Sequence, residues 1–185
     1  MLIRKALAAA VCVAALATTS AIASASVMVG GGAMLPQRNI VENALNSQDH
    51  TTLVAAVKAA GLVETLEGKG PFTVFAPVNA AFAALPAGTV ESLLKPENKA
   101  QLTSVLTYHV VPGHLTFADL DRLIAKGNGQ AVLKTVSGGS LWLMKNGAHN
   151  ISIKDGSSAV ADISIYDVRQ SNGVIHSIDR VLMPK

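Results

Sequence analysis

Four dipeptides that favour tight turns divide the second half of the chain into short segments. Three of them, Asn146-Gly147, Asp155-Gly156 and Asn172-Gly173, prefer the primed turns whose twist matches that of paired antiparallel strands, and Gly138-Gly139 precedes them. The segments between these dipeptides alternate in polarity or are rich in β-branched residues, which indicates strands. The pattern predicts an antiparallel run of strands over residues 131–136, 141–145, 150–154, 159–168 and 174–182.

The first half of the chain has the apolar spacing of helices instead. Asn39 is a candidate N-cap for a helix over residues 40–45, and Asp49 for a second helix that ends at Gly61. Further helices are predicted over residues 89–94, 97–108 and 116–126. Because helices and strands are segregated along the chain, the predicted class is α+β rather than a doubly wound sheet.

Two segments about a hundred residues apart each contain a predicted strand that is followed by a proline, which ends it. The first is residues 73–82, Thr-Val-Phe-Ala-Pro-Val-Asn-Ala-Ala-Phe, in which Pro77 ends a β-prone run. Asn79 is then placed to cap a short helix that turns Phe82 towards the core. The second is residues 172–184, Asn-Gly-Val-Ile-His-Ser-Ile-Asp-Arg-Val-Leu-Met-Pro, in which Pro184 closes a β-branched run. The pair Tyr108-His109 lies between the two segments.

This ordered set of motifs resembles the fasciclin-like (FAS1) domain, from about residue 39 to the C-terminus. The resemblance implies a wedge-shaped antiparallel β-sandwich with helices packed around its edge, as a single domain over residues 39–185. It also implies an extracellular adhesion or binding module rather than an enzyme, with no cofactor. The family most often has Thr or Ser where this chain has Val78, which leaves Asn79 to cap the helix. The residues marked by the resemblance as structural are Thr73, Phe75, Pro77, Asn79, Phe82, Tyr108, His109, Gly173, His176 and Asp179.

Residues 1–25 have the pattern of a Sec-type signal peptide. Arg4 and Lys5 form a positive start, residues 6–17 are apolar but too short to span a bilayer, and small residues before Ala23 and Ala25 fit the cleavage rule. The alternative is an uncleaved anchor. The segment predicts a secreted or periplasmic protein with no stable membrane anchor after cleavage. Residues 26–38, which contain three consecutive glycines, are then expected to form a flexible leader.

Removal of this segment changes two bulk properties of the chain. Cys12 is the single cysteine, so the mature protein would have no disulfide and would depend on its core alone. Arg4 and Lys5 are the two charged residues of the segment, which leaves 13 basic and 12 acidic residues and a net charge of +1. A nearly neutral surface argues against a dedicated nucleic-acid binder.

The histidines do not form a pattern that predicts a metal or catalytic site. His109 and His114 are separated by Pro112-Gly113, and no dense grouping of metal-ligating residues accompanies them. His176, Ser177 and Asp179 contain the residue types of a hydrolase triad. However, strand alternation places His176 on one face and the other two on the opposite face, and the chain lacks a Gly-x-Ser-x-Gly elbow.

Two positions have both a structural and a binding interpretation. Trp142 and Met144 face one side of the strand over residues 141–145 and two leucines face the other. This indicates either a strand that is covered on both sides or an apolar groove for a lipid-like or pigment-like ligand. Asp167-Val168 occupies the place of an Asp-Ile dipeptide that some animal members of the family use in integrin-type adhesion. The simpler interpretation of Asp167 is a solvent-facing residue at a strand end.

Three functions follow from these observations, in decreasing order of support. The first is a secreted or periplasmic adhesion module, expected to be a monomer, that presents loops and a sheet edge to an extracellular protein or polysaccharide. The second is a carrier of a small apolar ligand held between the helices and the sheet. The third is a hydrolase that uses His176 or His109, which the sequence supports least.

Overall fold

A computed structural model describes residues 26–185, so the predicted signal peptide and Cys12 lie outside the described residues. The helices of this part are α1 (Ile40–Ala44), α2 (Thr51–Ala60), α3 (Val63–Glu67), α4 (Asn79–Ala83), α5 (Thr89–Leu93), α6 (Lys99–Tyr108) and α7 (Phe117–Lys126). The strands are β1 (Val27–Val29), β2 (Gly32–Met34), β3 (Phe72–Pro77), β4 (Val110–Pro112), β5 (Gln130–Lys134), β6 (Ser140–Lys145), β7 (Ile151–Lys154), β8 (Val160–Gln170) and β9 (Gly173–Ile178).

Local capping signals account for where several helices begin and end. Asn39 caps α1 as predicted: its Oδ1 accepts from the Glu42 amide, and the Glu42 carboxylate accepts from the Asn39 amide. Helix α2 ends at Gly61 as predicted. The prediction for Asp49 is wrong, because a 3₁₀ turn over Gln48–His50 runs directly into α2 and Asp49 makes no cap hydrogen bond.

Seven of the nine strands in residues 26–185 form one mixed sheet in the order β4-β3-β9-β8-β7-β6-β5, and β1 and β2 pair only with each other. The four consecutive hairpins from β5 to β9 confirm the antiparallel run that the turn dipeptides predicted. The first three hairpin loops have five residues rather than two, and only the last, residues 171–172, is a two-residue turn. The pairing of β3 with β9 is parallel, so the sheet is antiparallel over the predicted run and mixed as a whole.

The sheet bends along β8 and curls until its two ends meet. β8 pairs with β7 through its first residues and with β9 through its later ones, with register shifts between Ile163 and Val168. Such irregularities bend a strand and increase its twist. Beyond the end of β5, the Val136 amide donates to the Val110 carbonyl of β4 at 2.8 Å. The curled sheet therefore has the two facing layers of a sandwich.

Two large apolar clusters fill the molecule, and a small third one is formed by Ala81, Val105 and Val181. One lies between helices α1, α2, α3 and α6 and the β4-β3-β9 side of the sheet, and includes Val74 and Ile175. The other lies inside the curled sheet, closed by α7 through Leu120 and Ile124. Phe75 belongs to the second cluster, so alternate residues of β3 serve the two clusters and β3 is buried on both faces.

The expected flexible leader is instead a β-hairpin that packs on the domain. β1 and β2 pair through Val29 and Gly32, with Gly30 and Gly31 as the two turn residues at φ 56° and 74°. Positive φ at both positions is the requirement of a type I′ turn, which glycine meets without strain. Val29 and Met34 are each 3% exposed in the first apolar cluster. The glycine run therefore makes a tight turn, and burial of the flanking residues holds it in place.

Candidate functional site

The two motif segments lie side by side as the parallel strands β3 and β9. Phe75 is paired in register with His176, and their rings stack with centroids 5.7 Å apart at 26°. Both side chains are fully buried. The ladder continues past Pro77, the last residue of β3, because the Val78 amide donates to the Ile178 carbonyl at 3.1 Å. Residues a hundred positions apart are thus joined along the centre of the molecule.

His176 connects three segments through its ring nitrogens. Nε2 donates to the Leu115 carbonyl at 2.8 Å, and Nδ1 accepts from the Asp167 amide at 3.3 Å. This pattern requires the neutral ring with its proton on Nε2. Burial lowers the pKa of His176, which stabilises that neutral form.

His109 makes a comparable pair of contacts at the end of α6. Its Nδ1 donates to the Val105 carbonyl at 2.8 Å, and its Nε2 accepts from the Leu182 amide at 2.9 Å. Burial lowers the pKa of His109 to about 4. The neighbouring Tyr108 hydroxyl donates to the Ser140 carbonyl at 2.6 Å and accepts from a loop amide at 2.8 Å. The Tyr-His pair thereby ties α6 to the C-terminal segment, to the first residue of β6 and to the loop between β7 and β8.

His50 is a buried residue whose importance the sequence did not indicate. Its Nδ1 lies 2.9 Å from the Ser47 hydroxyl, and its Nε2 lies 3.5 Å from the Ser177 hydroxyl. Burial lowers the pKa of His50. The serine three residues earlier is the signal that could have suggested this contact. Both serines are buried, 2% and 0% exposed, so their hydroxyls are held inside the fold with the His50 ring.

The side chains of His176, Ser177 and Asp179, which have the residue types of a hydrolase triad, do not converge on one site. Ser177 faces His50 rather than His176, in agreement with the strand alternation. Asp179 is exposed and uses its carboxylate to accept from the Asp162 amide at 2.8 Å, which joins the end of β9 to β8. In the part of the chain that the structure describes, no three His, Cys, Asp or Glu side chains are grouped closely enough to hold a metal ion.

Asn79 has a different role from the one predicted for it. Val78 occupies the N-cap position of α4 without a side-chain hydrogen bond, and Asn79 is the first residue of that helix. The Asn79 Oδ1 accepts instead from the Thr52 amide of α2 at 3.0 Å, and its Nδ2 donates to the Gln48 carbonyl at 2.8 Å. Asn79 thus caps α2, a neighbouring helix whose own N-cap residue, His50, makes no cap hydrogen bond.

Three other motif residues have structural roles in β3, β9 and α4. The Thr73 hydroxyl donates to the Gly113 carbonyl at 2.7 Å and accepts from an amide ahead of α7. Gly173 lies so close to β3 that an added Cβ would overlap the Phe72 carbonyl. Phe82 is half-buried and packs against two apolar clusters, as predicted from its place in α4.

Asp167-Val168 is not an exposed surface dipeptide. Val168 is 1% exposed and belongs to the apolar cluster beneath the helices. Asp167 has a φ of 56°, and its carboxylate accepts from the Phe117 amide at 2.7 Å, the first residue of α7. The pair therefore joins β8 to α7, and Asp167 is half-buried rather than the solvent-facing residue that the simpler interpretation expected. The adhesion role of the pair stays a prediction.

The outer face of the sheet in the β-rich half carries several accessible apolar residues. Val132, Trp142, Lys154 and Val160 are paired in register across β5, β6, β7 and β8. Val132 is 54% and Val160 44% exposed, and Trp142 is half-buried. Leu141 points inward and is fully buried, so one face of β6 is covered and the other is accessible.

A second candidate is an apolar cavity of about 50 Å³ between the helices and the β4-β3-β9 side of the sheet. Its floor includes Val74, Ala76 and Ile175, and its roof is formed by α1, α2 and α3. The location agrees with the place where the sequence suggested an apolar ligand, between the helices and the sheet.

A curled mixed sheet with helices packed on one side, braced by buried neutral histidines, defines a rigid α+β domain with accessible outer surfaces. The chain belongs to the Fasciclin domain family, whose pattern it matches over residues 48–184. Members of this family are adhesion and binding modules rather than enzymes. Between residues 26 and 185, none of the helices is long and apolar enough to cross a membrane.

Two relatives and one solved structure illustrate the range of this similarity. Protein sll1483 of Synechocystis sp. is 48% identical over 161 residues, covering 86% of this chain and 81% of that protein. Immunogenic protein MPB70 of Mycobacterium bovis is 37% identical over 155 residues, covering 81% and 71%. A FAS1 domain pair from the insect cell adhesion molecule Fasciclin I has the same fold, with a TM-score of 0.69 at 20% identity, covering 80% of this chain and 52% of that one.

Proposed function

We propose that this protein is an exported adhesion and binding module that recognises an extracellular protein or polysaccharide through the outer face of strands β5 to β8. The observation that carries the proposal is the row of four residues defined above, Val132, Trp142, Lys154 and Val160, one from each strand. An exposed apolar group in a soluble domain often marks an interaction site. Tryptophan is also among the side chains most enriched at the energetic centres of interfaces.

The surroundings of Trp142 supply polar groups beside the apolar row. A groove next to the indole ring is lined by Gln130, Lys154, Asp155, Gly156 and Ser158, and the buried Asp155 carboxylate is bonded to loop amides. An amide, an ammonium and a hydroxyl around an aromatic ring suit a ligand that has both apolar faces and hydroxyl groups, as sugars have. The exposed valines on either side suit a protein surface equally well. The two partner classes are separated by the experiment below.

Rigidity of the interior supports recognition by a preformed surface. Tyr108, His109 and His176 each bond to backbone groups of distant segments, and no buried polar side-chain atom of residues 26–185 lacks a partner. A surface that changes little on binding loses little conformational entropy. The signal-like residues 1–25 support export to the periplasm or the cell exterior, where such a surface meets its partner.

The single tryptophan of the chain allows a direct test. Its fluorescence is followed while separated extracellular proteins and polysaccharides from the producing cells are titrated against the protein. We expect one class to change the emission saturably. Trp142→Ala and Val132→Asp, assayed by surface plasmon resonance, are expected to weaken binding at least ten-fold. Met28→Asp is the matched control, since Met28 is also an apolar strand residue and is 60% exposed. Equal affinity for all three variants would exclude this face as the binding surface.

A further inference from the structure

Among residues 26–185, the cavity beneath the helices has exposed wall residues on its helical side and buried ones on the sheet side. Its sheet residues, such as Val74 and Ile175, are all buried. Its partly or fully exposed wall residues all belong to α1, α2 and α3. These exposed wall residues, which form the mouth of the cavity, are Ala44, Val54, Lys58, Val63 and Leu66. A molecule that entered here would pass between the helices and reach the sheet.

The inner wall of the cavity offers hydrocarbon and no free polar group. Its polar side chains are Ser47, His50 and His109. The Ser47 hydroxyl and the His50 ring bond to each other at 2.9 Å, and both nitrogens of His109 bond to backbone groups. An ordered water needs two to four polar partners, which this wall lacks. The interior therefore suits an alkyl chain.

The mouth of the cavity carries one charge. Lys58 lies in the last turn of α2 and is exposed. Among the wall residues within 26–185 it is the only one with a charged side chain, because burial keeps His50 and His109 neutral. Within residues 26–185 its ammonium is in neither of the two ion pairs, which join Asp119 to Arg122 and Asp121 to Lys145. An ammonium at the entrance to an apolar interior is complementary to a molecule with an anionic head and an alkyl tail.

We propose that this cavity is a binding site for a short aliphatic carboxylate, with the end of its alkyl chain inside and its carboxylate at Lys58. The resting volume of about 50 Å³ limits the length of the chain. It is about a third of the volume of an engineered apolar cavity that admits benzene, roughly 150 Å³. Only the end of a chain fits without displacing α2 or α3, so short chains are preferred to long ones. This site is separate from the outer sheet face and does not depend on it.

Sodium octanoate is the probe, titrated into the purified protein and followed by methyl NMR and by calorimetry. We expect saturable binding, with the largest shifts at the methyl groups of Val54 and Val63. Lys58→Glu is expected to weaken binding about ten-fold, because an exposed ion pair is replaced by repulsion. The matched control is Lys126→Glu, since Lys126 also lies in the last turn of a ten-residue helix, and it should leave the affinity unchanged. Ala44→Leu narrows the mouth and should weaken binding at least five-fold.

Three results would overturn the proposal. They are absence of saturable binding, equally tight binding of octylammonium, and methyl shifts that cluster around Trp142 instead of the cavity. If Ala44→Leu fails to fold, as judged by circular dichroism, the proposal is still tested by the methyl shifts of the unmodified protein and by the affinities of the two lysine variants. A negative outcome leaves the outer-face assay unaffected, because that assay reads the emission of Trp142 and not occupancy of the cavity.

Discussion

His109 is expected to make the stability of the fold depend on pH between about 4 and 6.5. Burial lowers its pKa from 6.5 to about 4, so the unfolded chain binds a proton in a range where the folded chain does not. The free energy of unfolding therefore rises with pH across this window. The contribution is complete above pH 6.5 and is lost as the pH falls through 4. At about 1.4 kcal/mol for each pH unit, the interval amounts to about 3 kcal/mol.

The structure explains why protonation is so unfavourable at this position. A proton on Nε2 would remove the acceptor of the Leu182 amide, and the charge would sit on a side chain that is 2% exposed. Burial also lowers the pKa values of His50 and His176, which adds to the stability change in the same direction. The protein is expected to unfold more readily in mild acid for this reason.

His109→Gln isolates the contribution of this one ring. The glutamine amide can still accept from the Leu182 amide but cannot titrate, and it loses the bond to the Val105 carbonyl. At pH 7.5 the variant is expected to be less stable by about 1–2 kcal/mol. Because the His109 ring by itself accounts for a loss of about 2.5 kcal/mol in the wild type between pH 7.5 and 4.5, the two stabilities should cross between about pH 5 and 6.

The assay is urea unfolding followed by circular dichroism at half-unit steps from pH 4.5 to 7.5. His149→Gln is the control, because His149 is exposed in a hairpin loop and folding changes its surroundings little. It should leave the pH dependence as it is in the wild type. A stability difference between His109→Gln and wild type that stays constant over the whole range would refute the reasoning, since it would show that the ring does not titrate differently in the two states.

Two further predictions concern contacts that join distant segments. Asn79→Ala should lower the free energy of unfolding by about 1 kcal/mol and speed amide hydrogen exchange in the first turn of α2 rather than in α4. The control Asn79→Asp keeps the accepting oxygen and should keep most of the stability. Faster exchange confined to α4 would contradict this prediction. Gly173→Ala should lower the free energy of unfolding, measured by chemical denaturation, by about 3 kcal/mol because its Cβ overlaps a β3 carbonyl. The control Gly147→Ala should lower it by about 1 kcal/mol, since its Cβ meets open space. Equal losses in the two variants would show that β3 and β9 are less closely apposed.

Local patterns predicted the hairpins and several helix ends because the groups that decide them are close in sequence. Asn39 and Glu42 cap α1 within one turn, and Gly61 ends α2. The turn dipeptides located all four hairpins of the β-rich half. Loop length was less certain from the sequence. The loop that starts at Asp155 has five residues, because its carboxylate accepts from the amides of Ser157 and Ala159.

The candidate sites were harder to predict because each depends on segments that are far apart in the chain. Trp142 was recognised as apolar on a two-residue period, but its exposure depends on the absence of a covering layer on the outer face. The cavity at Lys58 requires α2 and α3 to lie over β3 and β9. No pattern within a single helix or strand carries that information.

The amino-acid sequence by itself determined the α+β class, the antiparallel run and the family resemblance, since periodicity, turn residues and short motifs act over a few positions. Tertiary structure alone decided that β3 and β9 pair in parallel, that Asn79 caps another helix, and that the three glycines make a packed hairpin. In each of these cases a backbone or polar side-chain group forms its hydrogen bond with the partner that the packing of the core places next to it. Burial of the apolar clusters sets that proximity, and it depends on the whole chain at once.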